Sequence, residues 1–234
     1  MSPRTPYGKA AFAYRCSLWT KLWLKSPFSW LVVLCTFAAA RLIVQSGQHS
    51  QDIASSVYEK EGMLLAAVTV SWAMSLDADS GWLRQIWTYP QRRIVVIAER
   101  YGFGMLLFCA VMAIVSVYMH ARFGSNVWKV FMFALPVHAT VGACAMVGTI
   151  LANHSLGGLL GAVGLWAAAV GAGDNLGEYA PAVVHFTGVF RSVVHAGTSA
   201  AVPWDGWVVA NRFWYMAAFC TLWAAAVMLV LRRK

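Results

Sequence analysis

Residues 102–119 read Gly-Phe-Gly-Met-Leu-Leu-Phe-Cys-Ala-Val-Met-Ala-Ile-Val-Ser-Val-Tyr-Met, with no acid, base or proline to interrupt them. A helix that crosses a hydrocarbon core needs about 17–25 mainly apolar residues, and this run meets that length. Working outward, five more segments have the same character: 28–44, 62–76, 130–152, 156–172 and 213–231. The segment 62–76 is the shortest, so it must borrow flanking residues, tilt little or lie partly inside protein. Six spans leave little chain for anything else. The expected architecture is one membrane domain: a cytoplasmic tail and amphipathic helix over 1–27, six spans over 28–231, and a basic end at 232–234.

Composition agrees. Of 234 residues, 60% are hydrophobic and 12% charged, and the mean hydropathy is +0.61. Soluble domains sit near about 45–50% apolar and about 25% charged. A water-soluble globule of this size has too little interior to hide so much apolar surface, which excludes ordinary soluble enzymes.

The net charge of +9 is distributed like a topology signal. With the N-terminus inside, Arg4, Lys9, Arg15, Lys21, Lys25, Arg84, Arg92, Arg93, Arg100, Arg232, Arg233 and Lys234 are cytoplasmic. Lys60, Arg122, Lys129, Arg191 and Arg212 are external, and Arg41 lies at the outer end of the first span. The acids lean outward, with Asp52, Glu59, Glu61, Asp174, Glu178 and Asp205 outside. Lys/Arg excess in short inner loops is the positive-inside pattern. It predicts both termini in the cytoplasm and no nucleic-acid partner. The five cysteines have no Cys-x-x-Cys spacing, so neither a disulfide framework nor a zinc site is indicated. Residues 1–27 are too long for a signal-peptide n-region, and the first apolar run reads as an uncleaved span.

Between the spans, four stretches carry information. Over 7–25 a helical wheel gathers Ala11, Phe12, Tyr14, Leu18, Trp19, Leu22 and Trp23 on one half, with Lys9, Ser17, Thr20 and Lys21 opposite. A basic, Trp-bearing amphipathic helix ahead of a span suits the membrane interface, although an aromatic-flanked tail has the same composition. Ser26-Pro27 turns the chain. Over 80–88, Leu83, Ile86 and Trp87 recur at i, i+3 and i+4, predicting a short amphipathic helix stopped at Tyr89-Pro90. The segment 45–61 reads as an external polar loop. The segment 173–212 is too apolar for a loop and reads as a partly inserted helix–loop closed by Pro203-Trp204-Asp205-Gly206-Trp207.

Catalytic signatures are absent: there is no Walker A run, no His-Glu-x-x-His and no Gly-x-Ser-x-Gly. Asp77 and Asp79 read as a helix end beside water rather than a metal pair, because no further ligands accompany them. Haem would need two histidines at one depth on neighbouring helices. His138 and His154 lie about 24 Å apart along one helix, leaving His120 with His138, His185 or His195 as the conceivable pairs. The spans hold almost no charge, whereas ion-coupled transporters place acids or lysines near mid-bilayer. That pattern predicts an external energy source. Gly157, Gly161 and Gly164 give a spacing compatible with close helix contact.

These features together resemble the permease subunit of an ABC-2-type (type V exporter-like) ATP-binding-cassette transporter, in its small bacterial six-helix form. Members place an amphipathic helix before span one, a coupling helix between spans two and three, and a partly re-entrant segment before span six. The segments 7–25, 80–88 and 173–212 occupy those places. The family run L-x-x-L-x-x-x-P-x-[ST]-R is matched loosely by Leu83-Arg-Gln-Ile86-Trp-Thr-Tyr-Pro90-Gln-Arg-Arg93, followed by Arg100. The usual Glu before the coupling helix is missing, and Asp79 is the acid nearest its place. The resemblance implies an all-α integral membrane fold with six spans, N-terminal amphipathic helix, cytoplasmic coupling helix and re-entrant external segment.

It also implies a transport subunit that performs no chemistry itself. A separate ABC ATPase would bind ATP and Mg and would dock on Trp82, Leu83, Arg84, Ile86, Trp87, Tyr89, Pro90, Arg92 and Arg93. Trp204, Asp205 and Trp207 would form an external gate. A second permease copy or paralogue would complete the pathway, in the bacterial cytoplasmic membrane, for an amphipathic or hydrophobic cargo such as a peptide antibiotic or lipid-like molecule. The competing readings are a haem-handling or other histidine-using membrane protein and a structural subunit of a larger membrane complex.

Overall fold

The computed structural model describes residues 9–46, 55–79, 93–177 and 206–232. The described residues are helical apart from short connectors, with no strand among them. The helices are α1 (Lys9–Lys25), α2 (Pro27–Gln45), α3 (Gly62–Ala78), α4 (Arg93–Phe123), α5 (Asn126–Ala152), α6 (Ser155–Gly177) and α7 (Gly206–Arg232). A π-helical segment, Ser55–Glu61, runs into α3 without a break. Four helices are long and apolar enough to cross a membrane: α2, α4, most of α5 and most of α7. The chain therefore has the architecture of a multi-pass α-helical membrane protein.

Local chemistry sets the boundaries. Pro27 opens α2, where its missing N–H is not needed, and separates α2 from α1. The indole of Trp30 reaches back and donates to the Leu24 carbonyl at 2.8 Å, satisfying a carbonyl that the end of α1 leaves open. Gly124, at φ +77°, turns α4 into α5, a backbone conformation that favours glycine. Asn153, at φ 51°, ends α5 in the same left-handed region. Both connectors are short, so α4–α5 and α5–α6 are antiparallel hairpins.

α3 is the central helix. Met63, Ala66, Ala67, Val70, Ala73 and Met74 are buried, because α4, α5 and α6 pack around α3. This is why its apolar run is short: it faces protein, and the preceding π segment supplies the missing length. Gly104 of α4 crosses α3 so closely that a Cβ there would lie 2.8 Å from the Val70 Cα. The α5–α6 hairpin is tighter still. A Cβ on Gly148 would sit 2.6 Å from the Gly157 carbonyl oxygen, and one on Gly158 would run into the Thr149 hydroxyl and the Ala145 carbonyl. Gly157 and Gly158 thus serve contact within the chain, while Gly161 and Gly164 face open space.

α2 and α7 lie at the periphery, each with only 17% of its most apolar window buried, against 61% for α5. α1 packs across the foot of α3 and α4. Trp19 meets Phe103 edge-on at 5.3 Å and Trp23 meets Trp72 at 4.7 Å. Phe12, Leu18 and Leu22 remain exposed, so the apolar half expected from the wheel divides between the bundle and the outside. α4 is 31 residues long, about 46 Å at 1.5 Å per residue. It begins well before the apolar run at Gly102, and the added turns carry Arg93, Glu99 and Arg100.

Candidate functional site

Of the segment 45–61 expected to be an external loop, residues 55–61 form a π-helical turn folded against the bundle. Glu59, in the π segment, is 2% exposed, and its carboxylate lies 3.8 Å from the Arg212 guanidinium of α7. Arg212 also stacks on the Phe133 ring of α5 at 4.1 Å and donates to the Asn211 side-chain oxygen at 3.2 Å. His138, near the midpoint of α5, is fully buried with its ring 4.7 Å from Phe108. Both carboxylate oxygens of Glu61 are buried and find no hydrogen-bond partner among the described residues. Glu59, His138 and Arg212 are thus buried ionisable groups gathered where the π segment, α5 and α7 meet. Burying a charge pair carries several kcal/mol of desolvation per ion, which mutual attraction offsets only in part. Intramembrane ionisable groups accordingly mark sites of function.

The π segment is what brings the acids inward. Its wider turn frees carbonyls from the regular ladder, and two neighbouring helices take them up. His138 Nε2 lies 2.7 Å from the Tyr58 carbonyl, and the Trp166 indole of α6 donates to the Lys60 carbonyl at 3.0 Å. The Tyr58 hydroxyl donates to Ser116 of α4 at 2.9 Å. Gly62 makes room for the histidine, since a Cβ there would stand 2.7 Å from Nε2. Pro136, two residues before His138, removes one N–H from the α5 ladder beside the cluster. Thr140 ties α5 to α7 through the Tyr215 carbonyl at 2.8 Å. Such single π turns recur at functional sites.

At the α1 end, a second set of contacts links the feet of the helices. Arg15 pairs with both carboxylate oxygens of Glu99, at 2.5 and 3.1 Å, and Arg100 lies over the Trp19 ring at 4.0 Å. Burial and the Glu99 carboxylate push the Cys16 thiol up, while Arg15 opposes them. Asp79 accepts from the backbone N–H of Ser155 at 2.9 Å and from its hydroxyl at 2.6 Å. It thereby caps α6 from the end of α3. Arg93 is buried and donates to the Val230 carbonyl of α7 at 3.3 Å.

No family model, curated protein or solved structure matches this chain. The residues in the bundle therefore carry the functional argument.

Of the expected ATPase-facing residues, only Arg93 is among those described, and it faces α7. Trp82, Leu83, Arg84, Ile86, Trp87, Tyr89, Pro90 and Arg92 lie outside the described residues, as do Trp204 and Asp205 of the expected gate. Trp207 falls in the first turns of α7, and residues 173–177 finish α6. Residues 206–212, expected to belong to the re-entrant segment, are instead the first turns of α7, and 178–205, with His185 and His195, lie outside the described residues. His138 and His120 do not converge on a common ligand: His120 is exposed at the end of α4, and the His138 ring is closed in by Phe108 and the Tyr58 carbonyl. No group of three metal-capable side chains occurs among the described residues.

Sequence reasoning missed Glu59, Glu61, Asn211 and Arg212. Their one signal was position: Glu-Lys-Glu and Asn-Arg each stand immediately before an apolar run. A polar run at a span boundary reads equally well as a loop, and only the π turn decides which way it faces.

Proposed function

We propose that this chain is the membrane-spanning permease subunit of an ATP-driven transporter of the ABC-2 kind, with six spans, both termini in the cytoplasm of a bacterium, and ATP hydrolysed by a separate subunit. The observation that supports it is how the ends of segment 80–92 are tied. On one side Asp79 holds the start of α6; on the other, Arg93 holds the end of α7 and Glu99 holds α1. A push on that segment reaches three other helices through hydrogen bonds and an ion pair. This is the linkage a coupling element requires. The six-span count takes α3 with its π extension and α6 as the two spans beyond the four long apolar helices. The cargo in this reading is amphipathic or hydrophobic, with Trp204 and Trp207 at the far gate.

The test is purification in mild detergent followed by mass spectrometry and an ATPase assay. A stoichiometric ATPase subunit is the expected result. Leu83→Asp or Trp87→Asp should release that subunit while the membrane domain stays folded. Retention of a fully working ATPase by both variants would overturn the assignment.

A second reading draws on the buried acid–base groups. Glu59, Glu61, His138 and Arg212 are the groups a proton-linked transporter would use. In that case the purified chain carries no ATPase and, in proteoliposomes, moves solute in response to a pH gradient. Arg212→Met would abolish that movement.

A further inference from the structure

Glu61 stands where the π segment passes into α3. The residue as a whole is half-buried, yet both carboxylate oxygens are shielded and neither has a hydrogen-bond partner among the described residues. Glu59, two residues earlier, is a different case, because the Arg212 guanidinium of α7 lies 3.8 Å from its carboxylate. The other described charges and titratable groups around this end of the bundle are directed elsewhere. Lys60, on the same segment, is exposed. From α5, His138 commits Nε2 to the Tyr58 carbonyl, and Lys129 is exposed. Arg41 of α2 and His120 and Arg122 of α4 are exposed as well. The α6 side chain that reaches the segment is Trp166, which does not titrate. Among the described residues, none of these groups forms an ion pair with Glu61.

We propose that Glu61 is a proton-binding site: its carboxyl is neutral while the π segment is seated, and loss of the proton unseats that segment. An ionised carboxylate taken out of water and left without a partner is strongly unfavourable, so such a group takes up a proton instead. A proton is also the ligand that suits the place. A hard metal cation needs several oxygens around it, and no group of three metal-capable side chains occurs among the described residues. The carbonyls of Tyr58 and Lys60, which a cation would share, are already engaged by His138 and Trp166. The backbone on either side of Glu61 supplies the coupling. Before it, the Lys60 carbonyl is held by Trp166; after it, Gly62 packs so closely on His138 that a Cβ would stand 2.7 Å from Nε2. An ionised carboxylate that turns out to water draws this backbone with it and loosens both contacts. The only bond that forms or breaks is the carboxyl O–H, with water taking the proton. The site involves one group of the second reading but does not depend on it, since the proton is read without cargo, gradient or ATPase.

Infrared spectroscopy of the full-length protein in lipid vesicles at neutral pH tests this. The expected result is a protonated-carboxyl stretching band that moves on transfer to D2O and fades at alkaline pH. The band should survive in Glu59→Gln and be lost in Glu61→Gln, with helix content by circular dichroism verifying that each variant is folded. In the parent itself, dicyclohexylcarbodiimide, which modifies protonated carboxyls in apolar surroundings, should label Glu61 and spare Glu59, read by peptide mass mapping. Hydrogen exchange in residues 55–61, corrected for the intrinsic effect of pH, should accelerate as pH rises in the parent and stay flat in Glu61→Gln. Absence of the band or of the label from the parent, a band that persists in folded Glu61→Gln, or pH-independent exchange in the parent would each overturn the proposal. So would removal of the band by sodium at constant pH, which would make the site a cation site instead.

Discussion

Trp166 of α6 donates its indole N–H to the main-chain carbonyl of Lys60, 3.0 Å away in the π segment ahead of α3. With His138 on the Tyr58 carbonyl two residues earlier, two helices grip one turn of an irregular segment. That segment carries Glu59 and Glu61 into the bundle. The grip and the buried acids are one structural feature: without side chains from α5 and α6 to occupy the freed carbonyls, the π turn would leave buried acceptors unmet.

Removing either grip should loosen the segment locally. Trp166→Phe deletes the hydrogen bond together with one ring of the indole, and the lost bond alone should cost about 0.5–1.5 kcal/mol. Hydrogen exchange in residues 55–61 should accelerate while α4 and the remainder of α5 keep their protection. Uniform acceleration throughout the bundle would show that the bond is a global support instead.

The Glu59–Arg212 pair should be worse broken than absent. Arg212→Met alone removes the cation beside the buried Glu59 carboxylate and is expected to lose about 3–5 kcal/mol. The double variant Glu59→Gln with Arg212→Met should recover much of that loss. Thermal unfolding in detergent for the four members of the cycle measures the coupling directly.

Gly62→Ala should displace His138. The added methyl would stand 2.7 Å from Nε2, well inside van der Waals contact, so a loss of about 1–3 kcal/mol is expected. Loss of the His138–Tyr58 contact should appear as a shifted imidazole resonance in side-chain NMR, and an unmoved resonance would contradict the close approach.

Two glycines of α6 should separate in behaviour. Gly158→Ala meets the Ala145 carbonyl of α5 and should destabilise by about 1–3 kcal/mol. Gly161→Ala points into open space and should be neutral or stabilising by up to about 1 kcal/mol through helix propensity. Comparing the two melting temperatures is sufficient.

Cys16 reports on the α1 anchor. Its thiol is raised first by burial and next by the Glu99 carboxylate, against the lowering effect of Arg15. In a background with the other four cysteines replaced, Glu99→Gln removes a raising charge and releases Arg15 from its partner. Both changes lower the thiol pKa. At a fixed pH near 8, alkylation of Cys16 by iodoacetamide should therefore run faster in Glu99→Gln than in the parent, because the thiolate is the reacting species. A slower rate would mean that Glu99 does not act on Cys16 through charge.

The membrane class, the helical content and the positions of the long apolar helices were legible in the sequence, because each follows from local quantities. An uninterrupted apolar run such as 102–119 must satisfy its own backbone in lipid and does so as a helix. Pro27 and Gly124 mark boundaries through φ alone. The apolar face of 7–25 was readable by periodicity, although which of its residues meet protein was not: Trp19 and Trp23 are buried while Phe12 and Leu18 are exposed.

The tertiary structure alone decided where the charges lie. Glu59 and Glu61 look like loop acids, and Arg212 looks like an external base, because sequence reports position along the chain and not depth. A π turn adds a residue to one helical turn and changes the facing of everything before it. Whether such a turn is tolerable depends on His138, 80 residues from Tyr58 in sequence, and on Trp166, 106 from Lys60, which no local pattern connects to it. The same holds for the glycines. Gly157 and Gly161 share one spacing, but only packing against α5 shows that the first fits a close crossing and the second faces outward. Local chemistry determined the helices; the balance between desolvating the charged groups and satisfying them across helices determined the site.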